Sequence, residues 1–458
     1  SAYLSGNLDR FFQLPGGSLG WSAGFEYREE DSNNGQSFAD LNGLGFGGAS
    51  ILATAGSYDV AEFFGEARAP LLADLPLVKD VTLDGAIRRS EYSTIGGTTT
   101  WKVGGQYAPI ADISFRSTYA EAVRAPNVGE LFDPGGQTFL FIEDPCSQPN
   151  LNLGTSFRAA NCAAILSSLG VDPTTYVDPN IGSVRGLQTG NADLEEEKAK
   201  TFTVGAVLQP SFVKGLTLSF DYYDIKLGNA INTLDPQDIA NQCVDLPTIV
   251  NQFCDALTRA PGTDLQAPGG IVDYLIQPVN VASFRTKGVD FTVNYVLDPA
   301  NFGATSDWGV FNVHLVGNHL HELSYVNLVG ADPDPQKGEL NKPEWQGNLD
   351  VTWVKGPVTI NYGLNYFSAT QRYTLQEIAG EPDIADGQYL KYSEKFSHDI
   401  QARWNVDDHY EIYAGVDNFT DQRPDIGESF YPVSAVGRFF YIGATATFDS
   451  LGAMLSNK

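Results

Sequence analysis

Few side chains in this sequence stand at spacings that do chemistry. Gly16-Gly17-Ser18-Leu19-Gly20 matches the G-x-S-x-G pattern, in which a serine on a strand–turn–helix elbow becomes an exposed nucleophile. The residues after Ser18 alternate as a strand does, so the segment reads as a tight turn. Gly43-Leu44-Gly45-Phe46-Gly47-Gly48 contains G-x-G-x-x-G, but a phosphate cradle needs an apolar strand before it and a helix after it. It reads as a Gly-rich loop. His319 and His321 stand two apart on one strand face and could bind a metal, yet no third ligand is evident; they read as polar rim residues. Asp332 and Asp334 lack the Gly and Glu spacing of a calcium hand. The acidic run Asp193-Leu194-Glu195-Glu196-Glu197 reads as a solvated loop base. No catalytic residue, metal site or cofactor is expected, and the chain does not read as an enzyme.

Composition narrows the classes that remain. In 458 residues, 28 basic side chains face 56 acidic ones, a formal charge of −28. No basic stripe is available to neutralise phosphates, so nucleic acid is excluded as a partner. One Met beside 27 Phe and 21 Tyr is unusual for a helical core. No window is apolar for long enough to make a transmembrane helix. No secretory signal opens the chain, and Ser1 is expected to belong to a processed or truncated polypeptide.

The elements that position every other residue are strands. Leu19, Trp21, Ala23, Phe25 and Tyr27 alternate with Ser18, Gly20, Ser22, Gly24 and Glu26. The same period of two runs through Leu216–Tyr222, Val289–Tyr295, Trp345–Trp353, Val358–Tyr366 and Phe440–Phe448. A soluble sandwich points such an apolar face inward; a membrane barrel points it at lipid. The strands are long for a sandwich. Their polar faces carry Ser, Thr, Asn, Gln, Asp and Arg as a wet lumen would, and Tyr27, Trp101, Tyr107, Trp353, Trp404 and Phe448 fall near strand ends as girdles do. The fold class is therefore all-β, a transmembrane antiparallel β-barrel.

Fifteen strands are predicted, at about 2–11, 18–29, 58–70, 81–92, 100–108, 112–123, 200–209, 216–227, 280–297, 308–322, 344–354, 358–367, 394–404, 410–420 and 433–448. Short links alternate with long ones at about 30–57, 124–199, 228–279, 323–343, 368–393 and 421–432. Tight periplasmic turns and long external loops are the asymmetry of bacterial barrels. Cys146 and Cys162 share one long loop; Cys243 and Cys254 share another. Four cysteines allow three pairings, but pairing within each loop closes the shortest rings, and the exterior is oxidising. Short helices are expected near 157–168 and 236–259.

The run Tyr119-Ala120-Glu121-Ala122-Val123-Arg124-Ala125-Pro126-Asn127-Val128-Gly129-Glu130-Leu131-Phe132 resembles a hallmark of TonB-dependent outer-membrane receptors, with Val123, Arg124, Ala125, Pro126 and Asn127 at its centre. In order along the chain, Gly190–Lys198, Asp221–Lys226, Thr286–Asp290, Val416–Asp421 and Gly437–Gly443 resemble later strands of that family. The resemblance implies a barrel of about 22 strands, a plug inside it, and energised import of a scarce nutrient such as a ferric siderophore or a saccharide. It also implies outer-membrane lipid and lipopolysaccharide, a small-molecule nutrient and the TonB–ExbB–ExbD complex as partners. TonB would be reached through a plug that is not in this sequence.

Residues 1–448 are thus expected to be a partial barrel, strands 8–22 of about 22, and 449–458 a C-terminal extension. The first strand runs downward and the last also ends at the periplasm, so strand 2–11 should expose its outer edge instead of pairing with 433–448. Phe139, Phe141, Tyr176, Tyr373 and Tyr389 are the candidate ligand-binding residues, external aromatics that could stack on sugar or siderophore rings. A passive porin-like channel and an outer-membrane adhesin remain the alternatives; a membrane hydrolase lacks a nucleophile–base pair.

Overall fold

The structure is a computed structural model and describes residues 1–44, 52–328, 331–425 and 431–447. Fifteen strands follow one another around a single antiparallel sheet. They are β1 (Ala2–Asn7), β2 (Gly20–Asn34), β3 (Thr54–Leu75), β4 (Val78–Tyr92), β5 (Gly96–Ile110), β6 (Ile113–Arg124), β7 (Glu197–Leu208) and β8 (Leu216–Thr233). After them come β9 (Pro278–Leu297), β10 (Val310–Val326), β11 (Trp345–Lys355), β12 (Val358–Phe367), β13 (Lys395–Asn405), β14 (Tyr410–Asp417) and β15 (Phe439–Ala446). Each strand pairs with its chain neighbour, as an up-and-down wall requires. Among the described residues no ladder joins β1 to β15, so the sheet is a partial barrel with β1 open along its outer edge.

Register makes the two faces continuous. Val204 pairs with Tyr222, Tyr222 with Val289 and Val289 with His319, all on one face. That face continues as Val313, Val351, Tyr362, Ile400, Val416 and Phe440. The other face carries Arg116, Asp221, Asp290, Asn318 and Asp350. Since a one-residue slip would turn a strand inside out, this agreement across so many ladders ties the register to the alternating pattern. The apolar face is the one that meets lipid.

Some boundaries differ from the sequence expectation. β1 stops at Asn7, because Leu8 accepts from the N–H groups of Phe11 and Phe12 and closes a turn. Gln13–Leu14 pairs with Gly17–Ser18, so the G-x-S-x-G segment is a hairpin turn. The short helices expected near 236–259 are Pro236–Asp245 and the single turn Gln252–Asp255, and only Leu257–Arg259 departs from them, as a strand. The second half of the G-x-G-x-x-G loop, Phe448 and the extension 449–458 lie outside the described residues.

Candidate functional site

The two longest loops, 125–196 and 234–277, do not stand apart. They fold together at one end of the wall into a disulfide-stapled head. Its sheet takes strands from both: Gly136–Leu140 pairs with Val184–Gln188, which runs parallel to Ile271–Ile276, which pairs with Leu257–Arg259. Helices α1 (Arg158–Ser168) and α2 (Pro236–Asp245) cover one side. Asp235 caps α2 by accepting from Gln237 N–H, with Pro236 in the first turn. Between sheet and helices lies a core of Ile142, Leu166, Tyr176, Val244, Ile271 and Tyr274. The disulfides are Cys146–Cys162 and Cys243–Cys254, one within each loop, and no described cysteine is free.

Two buried ion pairs lock the loops to each other. Arg259 donates to both oxygens of Asp144, at 2.6 and 2.7 Å, and Tyr176 Oη donates to the same carboxylate at 2.7 Å. Arg158 grips Asp245 across the second contact, with its Nε 2.8 Å from Oδ1. Burial, reinforced by the Asp144 charge, pushes the Tyr176 phenol well above its ordinary range. Burial also raises the Asp178 carboxyl. These groups hold structure, and the chemistry they offer is rigidity.

At the rim below the head, Arg124 ends β6 and ties three strands together. Its Nε binds Glu197 at the start of β7, while its terminal nitrogens reach Glu130 at 3.0 Å each. Glu130 and Asn127 form a reciprocal capping box on the turn Val128–Phe132. Glu197 accepts the Ile231 N–H of β8 at 2.8 Å. Phe132 then seats against Gly56 of β3, where a Cβ would come within 2.5 Å of the ring. The run Val123–Asn127 is thus a mechanical corner. Glu197 is buried within it, which corrects the reading of 193–197 as a solvated loop base.

On the polar face, Arg116 of β6 reaches across β7 to Asp221 of β8, with contacts of 2.7 and 2.6 Å. Gly205 makes the passage possible, since a Cβ there would lie 2.0 Å from Asp221. Nearer the mouth, Glu62 takes Arg88 at 3.1 Å, and Tyr58 donates to Glu30 at 2.7 Å. Such an array suits a water-filled passage lined with charge.

The five aromatic candidates are not brought together. Phe139 and Phe141 project from the head and are exposed, and Tyr389 is half-exposed in the loop 368–394 with Tyr373. Tyr176 is only 5% exposed and belongs to the head's core; no ring face is left for a ligand. His319 stacks on Trp345 at 4.2 Å and meets Glu344 at 3.3 Å. Among the described residues no cluster of three metal-binding side chains exists. The Asp144–Arg259 pair and the union of two loops escaped sequence reasoning, their partners lying 115 residues apart. The Asn127-x-x-Glu130 spacing was a signal that could have located the corner.

Comparison with known proteins completes the geometry. The family model described as TonB dependent receptor-like, beta-barrel matches residues 1–419. A ferric enterobactin receptor variant from Pseudomonas aeruginosa, solved with enterobactin, superposes with a TM-score of 0.59 at 15% identity over 97% of this chain and 54% of that one. The siderophore receptor PirA from Acinetobacter baumannii gives 0.56 at 14%, over 97% and 54%. The Serratia marcescens hemophore receptor HasR, solved with hemophore and heme, gives 0.53 at 13%, over 97% and 58%. The chain spans about half the length of the solved structures it matches.

Proposed function

The chain belongs to the TonB-dependent receptor β-barrel family, and on that premise we propose that it is the wall and mouth of an outer-membrane receptor that imports a scarce nutrient with TonB-coupled energy. The observation that carries this reading is the pairing of a charged polar face with an ordered head at one end. A simple diffusion pore has little use for a stapled head. A receptor uses one to hold capture residues still, since preorganised groups lose less entropy on binding. The fifteen strands would be strands 8–22 of about 22, and the plug that contacts TonB would come from outside this sequence. Phe139, Phe141, Tyr373 and Tyr389 are the capture residues under this proposal, stacking on flat rings of a ferric siderophore or on saccharide faces. TonB-dependent siderophore and hemophore receptors share the fold, which favours an iron-bearing ligand over a sugar.

Whole-cell uptake tests this. Labelled ferric siderophore and labelled oligosaccharide should be offered to cells with and without the gene, in backgrounds with and without TonB. Accumulation of one of them that needs both the gene and TonB is the expected result. Uptake of both at the same rate without the gene, or without TonB, would overturn the proposal.

A further inference from the structure

Where the head meets the wall, the structure leaves a cavity of about 490 Å³, the size of a small-molecule site. Four segments enclose it: 191–195 ahead of β7, Asn229 of β8, 275–281 leading into β9, and the head's own stretch 234–256. None of the proposed capture residues lines it, and neither does any Lys, Arg or His. Lys198, three residues beyond Glu195, is taken by Glu196 at 2.9 Å.

The amides in the lining have mostly spent their donors on the protein. Asn280 gives both hydrogens to backbone carbonyls, those of Glu195 and Asn229, at 3.0 and 2.9 Å. Gln277 gives its pair to Thr189 Oγ1 and the Gly190 carbonyl. Asn229 gives its pair to Glu195 Oε2 and the Glu196 carbonyl. Of the side-chain donors, only Gln252 and the second hydrogen of Asn191 remain. Acceptors are what is left over. Among the described residues nothing bonds to the Asp193 carboxylate or to Glu195 Oε1, and both residues are exposed. The remaining lining is apolar, with half-buried Leu275, Val279 and Val281 beside buried Leu234, Ile239 and Phe253. An anion finds no base there. A metal ion finds no cluster of three ligands among the described residues, and an uncharged polyol would leave both carboxylates without a countercharge.

We propose that this cavity binds an aliphatic diamine or polyamine, its ammonium ends on Asp193 and Glu195 and its methylenes on Leu275, Val279 and Val281. Such a ligand brings donors to a lining that has acceptors to spare, and charge-assisted hydrogen bonds are the strong ones. Its methylenes cover apolar surface as a lysine stem does while the charged ends stay at the wet mouth. The site uses neither the lumen nor the capture residues, so it and the uptake proposal fail separately.

Isothermal titration of the detergent-solubilised protein with 1,4-diaminobutane tests this, beside n-butylamine, 1,4-butanediol and calcium chloride. Saturable binding of the diamine is expected, and none of the diol. A charge-assisted hydrogen bond carries about tenfold in affinity. Removing one ammonium, as n-butylamine does, or one carboxylate, by Asp193→Asn or Glu195→Gln, should therefore weaken binding about tenfold. Glu143→Gln removes an exposed head carboxylate that does not line the cavity and should bind as the parent does. That control separates a site from the general attraction of a chain of charge −28. Both lining acids are exposed, so their loss threatens no fold, and near-ultraviolet circular dichroism verifies it. Absence of saturable diamine binding, equal binding of n-butylamine or by either lining variant, an equal loss in Glu143→Gln, or displacement of the diamine by equimolar calcium would each overturn the proposal.

Discussion

The wall and the head are made of similar residues and are stabilised in opposite ways. In the wall, Phe63, Ile87 and Ile442 leave 62, 57 and 79% of their surface open. In the head, Leu166 and Val244 leave none. The wall keeps its apolar groups outside because lipid accepts them; in lipid what must be satisfied is the backbone, and the ladder does that. The head stands in water, where a loop of that length gains order only by building a core of its own, helped by disulfides. Apolar surface is removed from water in both cases, by a solvent in one and by the protein in the other.

The largest effect should come from separating the head's buried charges. Arg259→Ala would strand Asp144, itself 1% exposed, beside Tyr176 and should destabilise the head by about 3–5 kcal/mol. Hydrogen exchange should show faster opening of 136–188 and 257–276 with the wall's amides unchanged. Equal loosening of β7–β12 would show that the two regions share one stability.

Charge on the lipid face comes next. Leu218→Arg or Val351→Arg should cost about 2–4 kcal/mol in a lipid refolding titration, while Ser219→Asn and Asp350→Asn on the other face should cost little. Equal costs would mean that neither face meets lipid. Close behind is the head's covalent stapling: opening Cys146–Cys162 by Cys146→Ser/Cys162→Ser should cost about 3 kcal/mol, and opening the shorter Cys243–Cys254 ring slightly less. Urea titration of the head should read both, leaving the wall's transition in place.

The wall was legible in the sequence because a period of two is local: each strand announces its face without reference to its partner. Hence Val358–Phe367 is found at its expected bounds and the strand order follows the chain. The pairing of Cys146 with Cys162 was legible for the same reason, since both ends lie in one loop. What stayed hidden was non-local. Nothing at Asp144 points to Arg259, and nothing at Gly205 says that it leaves room for Arg116 to reach Asp221. Tyr176 shows the limit most plainly: an external aromatic in a long loop reads as a ligand contact until the second loop arrives and buries it. Of the proposed capture residues, Phe139, Phe141 and Tyr389 are exposed and Tyr373 is half-buried.

The smallest effect should come from acid, and it should have opposite signs at Asp425 and at the buried carboxyls of the head. Asp425, in the last external loop, accepts from Ser393 N–H at 2.8 Å and from Lys395 Nζ at 3.0 Å, tying that loop to the start of β13. Burial alone would raise its carboxyl, but the Lys395 and Ser393 hydrogen bonds outweigh burial and hold it below the usual carboxylate range. Its contribution is therefore complete above the unfolded value, about pH 4, and is lost as pH falls through the lower folded value. In the head, burial raises Asp178 and Asp238 instead, with Asp235 adding to the effect on Asp238. Those two carboxyls take up protons in the folded head before they would in the unfolded chain. Their contribution is present at about pH 4 and fades as pH rises through their raised values. Acidification from neutrality should thus firm the parts of the head around Asp178 and Asp238 first, and release the loop around Asp425 only below about pH 4, by roughly 1 kcal/mol. Hydrogen exchange corrected for intrinsic rates should resolve the two steps, and Asp425→Asn should abolish the second without touching the first. Loosening of both regions together across one pH interval would remove the distinction drawn between them.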